Sequence, residues 1–326
     1  MILRTVVIGC GWAGMKSIHA IRSNENALLA AVVDVDEARA KKAASEYNVP
    51  YFTTAEDCLG SGISFDAACV CTLPETHFDL CERLLKKGKN VFCEKPLSRN
   101  SYEMEHLYST ARDNNVKLSV NFNQRFGKAA QRARALIAKD GAIHLVTGSM
   151  YQYGYAYRQS SKYHILTDSC CHLFDTVCML CGRAKSVCTL AAKFGGKNIT
   201  DVSVLLEFEN SAIGTVSHTY VGGRLDTQHP FQRIEVHTDQ ARYVIENLYD
   251  RLEIYPHREA NAQVWQPSVF ERRDYEDSMQ ESFKHFVELV LINGENTGSM
   301  QDVLHVSRLI EAAVRSAESG VFEKIE

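Results

Sequence analysis

The first residues whose spacing could support chemistry are glycines near the start of the chain. Gly9, Gly11 and Gly14 fit the pattern G-x-G-x-x-G between a β-branched run and a stretch with helical periodicity. In such a loop the first glycine allows a tight turn, the second lets the backbone approach a pyrophosphate, and the third packs the helix against the strand. The N-terminus of the helix offers unpaired N–H groups to the phosphates. The loop, with Trp12 and Ala13, predicts a dinucleotide-binding site.

An acidic residue ends the second predicted strand. Asp34 follows the glycine loop at about the 20-residue spacing expected for a carboxylate that accepts hydrogen bonds from ribose hydroxyls. Its charge would repel a 2′-phosphate, and the next residues, Val35 and Asp36, bring no arginine to bind one. The sequence therefore favours NAD over NADP as the cofactor.

Two carboxylates and an imidazole share a short segment later in the chain. Asp168, His172 and Asp175 are spaced so that one continuous helix would place them on one face. An aspartate beside a histidine can fix its tautomer and stabilise the imidazolium, which suits the histidine to move a proton near neutral pH. Asp168 and His172 are therefore candidate catalytic residues.

The elements that must position these residues fall into two groups. Up to residue 121 strands and helices alternate, which predicts a doubly wound parallel sheet of the Rossmann type. The predicted strands there are 4–9, 28–35, 67–72, 90–93 and 117–121, and the predicted helices are 15–23, 37–47, 78–87 and 102–114. We expect residues 1–121 to form an NAD-binding α/β domain.

Strand-like runs dominate from residue 122 onward and predict an α+β domain with a large, mostly antiparallel open sheet. The runs are 144–153, 186–194, 201–208, 212–220, 231–238, 241–247 and 251–255, and the helices are 129–139, 169–181, 279–292 and 300–319. We expect residues 122–326 to form a substrate-binding and oligomerisation domain. Whether the last helices pack back on the first domain is left open.

Glu94, Lys95 and Pro96 stand at the carboxyl end of a predicted strand, where ligands bind in open α/β sheets. With the glycine loop, this triplet resembles the Gfo/Idh/MocA family, which includes glucose–fructose oxidoreductase and inositol dehydrogenase. Further segments resemble family motifs over most of the chain: Leu73-Pro74-Glu75-Thr76-His77, Asn121-Phe122-Asn123-Gln124-Arg125-Phe126 and Asp168-x-Cys170-x-His172-x-x-Asp175.

The resemblance implies an NAD-dependent oxidoreductase that transfers a hydride between the nicotinamide and a ring carbon of a sugar, amino-sugar or cyclitol. It implies that Lys95 hydrogen-bonds the reacting oxygen, and it leaves open whether Lys95 or His172 accepts the proton. Glu94 would bind the nicotinamide ribose. The other implied cofactor contacts are Thr72, Leu73, Pro74, His77 and Lys95, and the candidate substrate contacts are Lys95, Asn123, Arg125, Tyr151, Tyr163, Asp168 and His172.

Some of these residues have alternative interpretations. His77 and Arg125 could equally orient a loop or pair with a carboxylate. Tyr163 belongs to a bulky segment that replaces the family's run of glycines near the substrate, so it is expected to shape the pocket. Tyr151 starts a series of alternate tyrosines that predicts either a wall stacking on a sugar ring or a subunit interface. Cys170 stands where the family has glycine, which predicts a different turn into the helix.

Composition excludes several classes of protein. With 326 residues and a formal net charge of −4, the chain has no basic footprint for nucleic acid or an anionic membrane. No apolar run approaches the roughly 20 residues of a membrane span. A strand begins within a few residues of Met1 and leaves no room for a signal peptide, so we expect a cytoplasmic protein.

The 11 cysteines favour neither a disulfide framework nor a metal site. Those between Cys170 and Cys188 lie largely in a stretch with helical apolar spacing, and no second pair with ligand spacing follows. We therefore predict no metal. An open second sheet must cover one face, which predicts a homodimer or homotetramer. Two alternatives to a dehydrogenase remain at this point: an NAD-dependent glycoside hydrolase and a non-catalytic NAD-sensing regulator of the same fold.

Overall fold

Two compact units make up the protein. The computed structural model describes residues 2–152, 165–193, 198–220, 231–267, 275–292 and 300–326. One unit comprises Met1–Asn123 and Glu276–Leu304, and the other comprises Gln124–Tyr275 and His305–Glu326. The first unit is therefore built from two separate stretches of the chain.

The helices of the described residues number ten in chain order, besides two short 3₁₀ turns at Pro74–Thr76 and Asn123–Phe126. They are α1 (Trp12–Arg22), α2 (Glu37–Tyr47), α3 (Ala55–Gly60), α4 (His77–Lys86), α5 (Ser101–Asp113), α6 (Lys128–Ile137), α7 (Ile165–Asp168), α8 (Cys170–Cys181), α9 (Tyr275–Ile292) and α10 (Met300–Ser319).

A six-stranded parallel sheet forms the centre of the first unit. Its order is β3-β2-β1-β4-β5-β6, from β1 (Leu3–Ile8), β2 (Ala27–Val33), β3 (Tyr51–Phe52), β4 (Ala67–Val70), β5 (Asn90–Cys93) and β6 (Leu118–Val120). The strand order reverses between β1 and β4, and this is the position at which doubly wound sheets bind nucleotides. The prediction of a Rossmann sheet is confirmed.

Helices cover both faces of such a sheet, which explains why its inner strands are continuously apolar. All four residues of β4 are buried. Helix α9, from the end of the chain, supplies part of this core. The rings of Phe283 and Phe286 lie 5.7 Å and 5.4 Å from that of Phe92 on β5. Of the two closing helices, α9 thus packs on the Rossmann sheet.

A nine-stranded sheet forms the second unit, in the order β14-β13-β12-β11-β7-β10-β9-β8-β15. Its strands are β7 (Ile143–Tyr151), β8 (Ala184–Ala192), β9 (Asp201–Phe208), β10 (Ile213–Thr219), β11 (Phe231–Thr238), β12 (Ala241–Glu246), β13 (Arg251–Pro256), β14 (Gln263–Trp265) and β15 (Glu323–Lys324). Only the β7–β10 pair among them is parallel. The predicted large, mostly antiparallel sheet is confirmed.

Helix α8 lies close against one face of this sheet. A Cβ atom on Gly148 of β7 would lie only 3.3 Å from the side chain of Leu173, so a glycine at this position allows the helix to approach. The opposite face carries exposed apolar side chains, including Leu190, Leu205 and Ile213. Because β-strand side chains alternate, even-numbered residues of β7 and β10 face the helix and odd-numbered ones face away.

The short elements are the ones that the sequence did not predict. They include β3, of only two residues, and α3 in the first unit, and the edge strands β14 and β15 in the second. Runs this short carry too little periodicity to be recognised. Each of these four lies at a sheet edge or beside one, whereas the four-residue α7, also not predicted, ends at the candidate residue Asp168.

Candidate active-site residues of the two units

The glycine loop joins β1 to α1, as predicted. Gly9 has φ +93°, and a Cβ there would lie 2.6 Å from the carbonyl oxygen of Cys71. A Cβ on Gly14 would lie 1.8 Å from the carbonyl oxygen of Gly9. The fold itself therefore requires glycine at both positions.

Gly11 differs from the other two glycines of the loop. A Cβ there would have no heavy atom within 4 Å, so packing within the protein does not require this glycine. It is the N-cap of α1, where no side chain caps the helix and no acidic residue lies in the first turn. Open space in front of a helix N-terminus fits a pyrophosphate. The loop thus fits the dinucleotide predicted from its sequence.

Asp34 fastens this loop to the end of β2. It is 5% exposed, and its Oδ2 accepts a hydrogen bond from the Cys10 N–H at 2.7 Å. Its Oδ1 accepts another from the Asp36 N–H at 2.9 Å. Oδ1 can accept a further hydrogen bond, so Asp34 can hold the loop and also receive a ribose hydroxyl.

An arginine lies beside Asp34, although the two residues that follow it, Val35 and Asp36, include none. One guanidinium nitrogen of Arg39 lies 3.4 Å from Asp34 Oδ2, and another lies 3.3 Å from Asp36 Oδ2. Arg39 is in the first turn of α2, which Asp36 caps through the N–H groups of Ala38 and Arg39. The first turn of α2 brings Arg39 back to the end of β2, although it is five positions after Asp34 in the sequence.

The loops after β4 and β5 meet at a buried histidine. His77 Nδ1 lies 2.7 Å from the Pro96 carbonyl oxygen, and its Nε2 lies 3.1 Å from the Thr72 carbonyl oxygen. Burial lowers the pKa of His77, which favours the neutral ring with a single N–H donor. The neutral ring donates one hydrogen bond, to the carbonyl of Pro96 or of Thr72, and its other nitrogen lies against the second carbonyl, so His77 has the structural role between the two loops that was considered for it. The Lys95–Pro96 peptide bond in the second loop is cis.

The Glu-Lys-Pro segment follows β5 directly. Glu94 Oε1 accepts a hydrogen bond from Asn121 Nδ2 at 2.7 Å, and burial raises the pKa of this carboxyl. Lys95 comes next and is half-buried. Trp12 and Leu73, which follow β1 and β4, are 56% and 71% exposed. Exposed apolar side chains at the carboxyl edge of the sheet suit contact with the less polar parts of a cofactor.

Asp168 and His172 do not lie on one continuous helix, so the shared helical face that their spacing would allow does not form, while the predicted helix 169–181 is present as α8. Asp168 ends the four-residue α7, and α8 begins at Cys170. Ser169, between them, has φ −126° and ψ −37°, outside the helical region. His172, in the first turn of α8, is 6% exposed. Serine is a preferred N-cap residue, and it was the available sequence signal for this break.

Asp175 forms a buried ion pair with Arg125. Arg125 Nε donates to Asp175 Oδ2 at 3.0 Å, and its NH2 group donates to Oδ1. The side chains are 4% and 1% exposed. Arg125 thus pairs with a carboxylate, the structural alternative given for it. Asn123 is also buried, and its Nδ2 donates to Ser278 Oγ at 2.8 Å.

Tyr151 lies on the other face of the sheet from α8. Its ring stacks on that of Phe231 at 6.0 Å, and it is an odd-numbered residue of β7, on the open face. The structure does not bring it together with His172 of α8. Tyr163 lies outside the described residues, as do the tyrosines at 153, 155 and 157.

Comparison with known proteins decides the family. Residues 3–122 match the model of an oxidoreductase family with an NAD-binding Rossmann fold. Residues 130–244 match that of the GFO/IDH/MocA C-terminal domain. The chain belongs to the Gfo/Idh/MocA family. It is accordingly an oxidoreductase with an NAD-binding Rossmann domain.

Relatives within the Gfo/Idh/MocA family cover much or all of the chain. It is 31% identical to the inositol 2-dehydrogenase of Rhizobium meliloti over 261 residues, 76% of each protein. It is 25% identical to the myo-inositol 2-dehydrogenase of Thermotoga maritima over 99% of each. A levoglucosan dehydrogenase solved with NADH shares the fold, with a TM-score of 0.89, 18% identity and full coverage of both chains.

The described ranges of this Gfo/Idh/MocA protein also bear on metal binding and membrane spanning. Within those ranges, no three His, Cys, Asp or Glu side chains are placed to hold a metal ion. No helix among the residues described is long and apolar enough to cross a membrane.

Proposed function

We propose that this chain is an NAD-dependent dehydrogenase that transfers a hydride between the nicotinamide and a ring carbon of a sugar, amino-sugar or cyclitol. The observation that carries the proposal is the carboxyl edge of the first sheet, where Asp34 holds the glycine loop through Cys10, the space in front of Gly11 is open, and Lys95 follows β5, two strands from β1. The inositol and levoglucosan dehydrogenases among the relatives support the substrate class.

The cofactor is proposed to bind along this edge, where it supplies the hydride acceptor or donor. The Gly9–Gly14 loop, with Trp12 and Ala13, would face the pyrophosphate, and Asp34 the adenosine ribose. NAD is favoured over NADP because Asp34 is positioned to repel a 2′-phosphate, while Arg39 is already paired with Asp34 and Asp36. Thr72, Leu73, Pro74, His77, Glu94 and Lys95 complete the proposed contacts at the ends of β4 and β5.

Lys95 and His172 are the proposed proton-transfer residues, and Asp168 is proposed to assist them. A positively charged Lys95 would hydrogen-bond the reacting oxygen and stabilise alkoxide-like charge. Either Lys95 or His172 would accept or donate the hydroxyl proton, and Asp168 would stabilise the imidazolium when His172 does so. Asn123, Arg125, Tyr151 and Tyr163 were the remaining candidates for substrate contact. The buried pairings of Asn123 and Arg125 favour a supporting role for both.

A direct spectrophotometric assay of NADH tests the assignment. Purified protein is incubated with NAD and a panel of sugars, amino-sugars, sugar phosphates and inositols, and NADH is followed by absorbance. We expect one compound class to produce NADH, Lys95→Ala and His172→Ala to abolish turnover while still binding NAD, and the surface variant Lys86→Ala to behave as wild type.

Two outcomes would contradict the proposal. Release of a glycosidic leaving group without net NADH would identify the hydrolase. NAD binding without turnover of any compound would favour the NAD-sensing regulator.

We also propose that copies of the chain associate through the open face of the nine-stranded sheet into a homodimer or homotetramer. Leu190, Leu205 and Ile213 on that face are 73%, 49% and 57% exposed, and such a patch ordinarily marks an interface. Sedimentation should show an oligomer that Ile213→Lys dissociates, whereas Tyr102→Lys, at an exposed residue of the first unit, should not. A wild-type monomer at micromolar concentration would refute this.

A further inference from the structure

A chain of buried polar side chains lies behind Asp168 in the second unit. The Tyr220 hydroxyl lies 3.2 Å from Asp168 Oδ2 and 2.7 Å from Ser169 Oγ. His218, on β10, places each ring nitrogen 3.4 Å from the same Ser169 oxygen. Tyr220 and His218 are each 2% exposed and Ser169 is 5% exposed. The side chains behind Asp168 are therefore polar but largely shielded from water.

Ser169 is placed unusually for a serine at the start of a helix. An N-cap serine ordinarily accepts a hydrogen bond from a backbone N–H in the first helical turn. The Ser169 side chain makes no such bond with α8, and its Oγ contacts Tyr220 instead. The local helix signal alone does not account for this orientation, whereas the contact with the tyrosine does.

The hydrogen bonds of this series of side chains all run in one direction. A carboxylate only accepts, so the Tyr220 hydroxyl donates its single hydrogen to Asp168 and accepts from Ser169. His218 lies 3.4 Å away by either ring nitrogen, longer than an ordinary N–H···O bond, so the directed bonds are those from Ser169 to Tyr220 and from Tyr220 to Asp168. Bonds that point the same way polarise one another, and a hydrogen bond that ends on an ionised acceptor is stronger than a neutral one. The arrangement therefore favours the charged form of Asp168.

We propose that Tyr220 is a positioning residue of the candidate active site, which, with Ser169 behind it, holds Asp168 ionised and in one orientation. Tyr220 acts through Asp168 and not on the substrate. The inference rests on the proposed function, since the state of Asp168 affects turnover only if Asp168 assists His172 in proton transfer.

Other side chains near α7 could also affect the ionisation of Asp168. The titratable side chains nearest to α7 in the described residues are Cys170, Cys171 and His172 of α8, His218 of β10 and Tyr220 just after it. Asp201 and Glu207 of β9 are in register with odd-numbered residues of β10 and face the open side of the sheet. Strand β9 presents the buried, apolar Val202 and Val204. Within this described set, Tyr220 is the side chain whose hydrogen bond to an Asp168 carboxylate oxygen can be removed by deleting a single atom.

Tyr220→Phe deletes that atom, and Tyr243→Phe is the matched control. Tyr243 is 3% exposed, and its hydroxyl donates to Asp140, a carboxylate elsewhere in the same unit. In Tyr220→Phe we expect kcat to fall about tenfold, the usual effect of losing one hydrogen bond to a charged group. The acidic limb of the pH profile should move to higher pH, with KM and the Kd for NAD within about twofold of wild type. Tyr243→Phe should leave the pH profile in place.

A second measurement does not depend on turnover. In protein labelled with ¹³C-carboxyl aspartate, the Asp168 resonance is assigned from its loss in Asp168→Asn and then titrated. We expect it to titrate at higher pH in Tyr220→Phe than in wild type, with a smaller shift of the same sign in Ser169→Ala and none in Ser186→Ala.

The outcomes separate this inference from the proposed function. An Asp168 titration unchanged in Tyr220→Phe would overturn the inference, whatever the activity. A shifted titration in a protein that oxidises no sugar or cyclitol would refute the proposed function and retain only the effect of Tyr220 on the ionisation of Asp168. An unchanged pH profile alongside a shifted titration would show that Tyr220 holds Asp168 without effect on catalysis, which also overturns its role as a positioning residue.

Discussion

Arg125 and Asp175 form a two-point ion pair in the interior of the second unit. The arginine comes from the 3₁₀ turn at Asn123–Phe126 and the aspartate from α8, so the pair ties the turn after β6 to the helix that carries His172. Both charges are almost fully removed from water. Each therefore takes part of its solvation from the other.

Removing one member of this pair should destabilise the protein strongly. Arg125→Met leaves a buried, unpaired carboxylate, and such a change costs about 3–5 kcal/mol. Urea unfolding should show this loss, and the double variant Arg125→Met/Asp175→Leu should recover much of it. Arg83→Ala, which breaks an exposed pair with Glu56, should cost no more than about 1 kcal/mol. A loss equally small in Arg125→Met would contradict the burial argument.

Two alanine substitutions in the glycine loop should separate folding from cofactor binding. The added methyl of Gly14→Ala meets the Gly9 carbonyl, whereas that of Gly11→Ala meets open space within the protein. Gly14→Ala should lower Tm severely or prevent folding. Gly11→Ala should keep Tm close to wild type and raise the Kd for NAD about tenfold or more, measured by calorimetry, because it intrudes on the pyrophosphate. Unimpaired NAD binding in a folded Gly11→Ala protein would place the cofactor elsewhere.

Asp34 and Arg39 should together set the choice of dinucleotide. Asp34→Ser removes the charge that repels a 2′-phosphate and frees Arg39 from its pairing with that carboxylate. The Kd for NAD should rise about tenfold, as expected for lost hydrogen bonds from a charged acceptor, while NADP should gain affinity. Asp34→Ser/Arg39→Ala should lose the gain for NADP. If NADP binding were identical in the single and double variants, Arg39 would have no part in the choice.

His77 should contribute to sensitivity toward acid. Burial lowers its pKa below the ordinary value of 6.5, so the unfolded chain binds a proton more readily than the folded one. The stability contributed by the neutral ring is complete above about pH 6.5 and is lost as the pH falls toward the folded-state pKa. Urea unfolding at several pH values between 7.5 and 5 should give a shallower slope for His77→Gln. The exposed-site variant His144→Gln should not flatten the slope.

Much of the fold was readable from local patterns, and so was the location of the cofactor loop. Gly9, Gly11, Gly14 and Asp34 can be read in sequence order because each serves a fixed point of a strand–turn–helix unit. The break at Ser169 was missed because the spacing of Asp168 and His172 fits a continuous helix equally well. Spacing carries no information on backbone dihedral angles.

The remaining differences depend on contacts between distant parts of the chain. Arg39 reaches Asp34 only because α2 begins immediately after the strand. Tyr220 meets Asp168 across 52 positions of sequence, which no local pattern encodes. For Tyr151, alternation predicts that neighbours point to opposite faces, but only the packing of Leu173 against Gly148 shows which face the helix covers.

The contribution of α9 to the first sheet has a consequence for biosynthesis. Phe92 is made early, but its partners Phe283 and Phe286 are almost two hundred residues downstream. The amino-terminal unit therefore cannot finish its core while the ribosome is still producing the second sheet. Its nascent form must keep an apolar surface exposed until translation is nearly complete, and neither unit corresponds to a single uninterrupted segment that could be cut out and expressed intact.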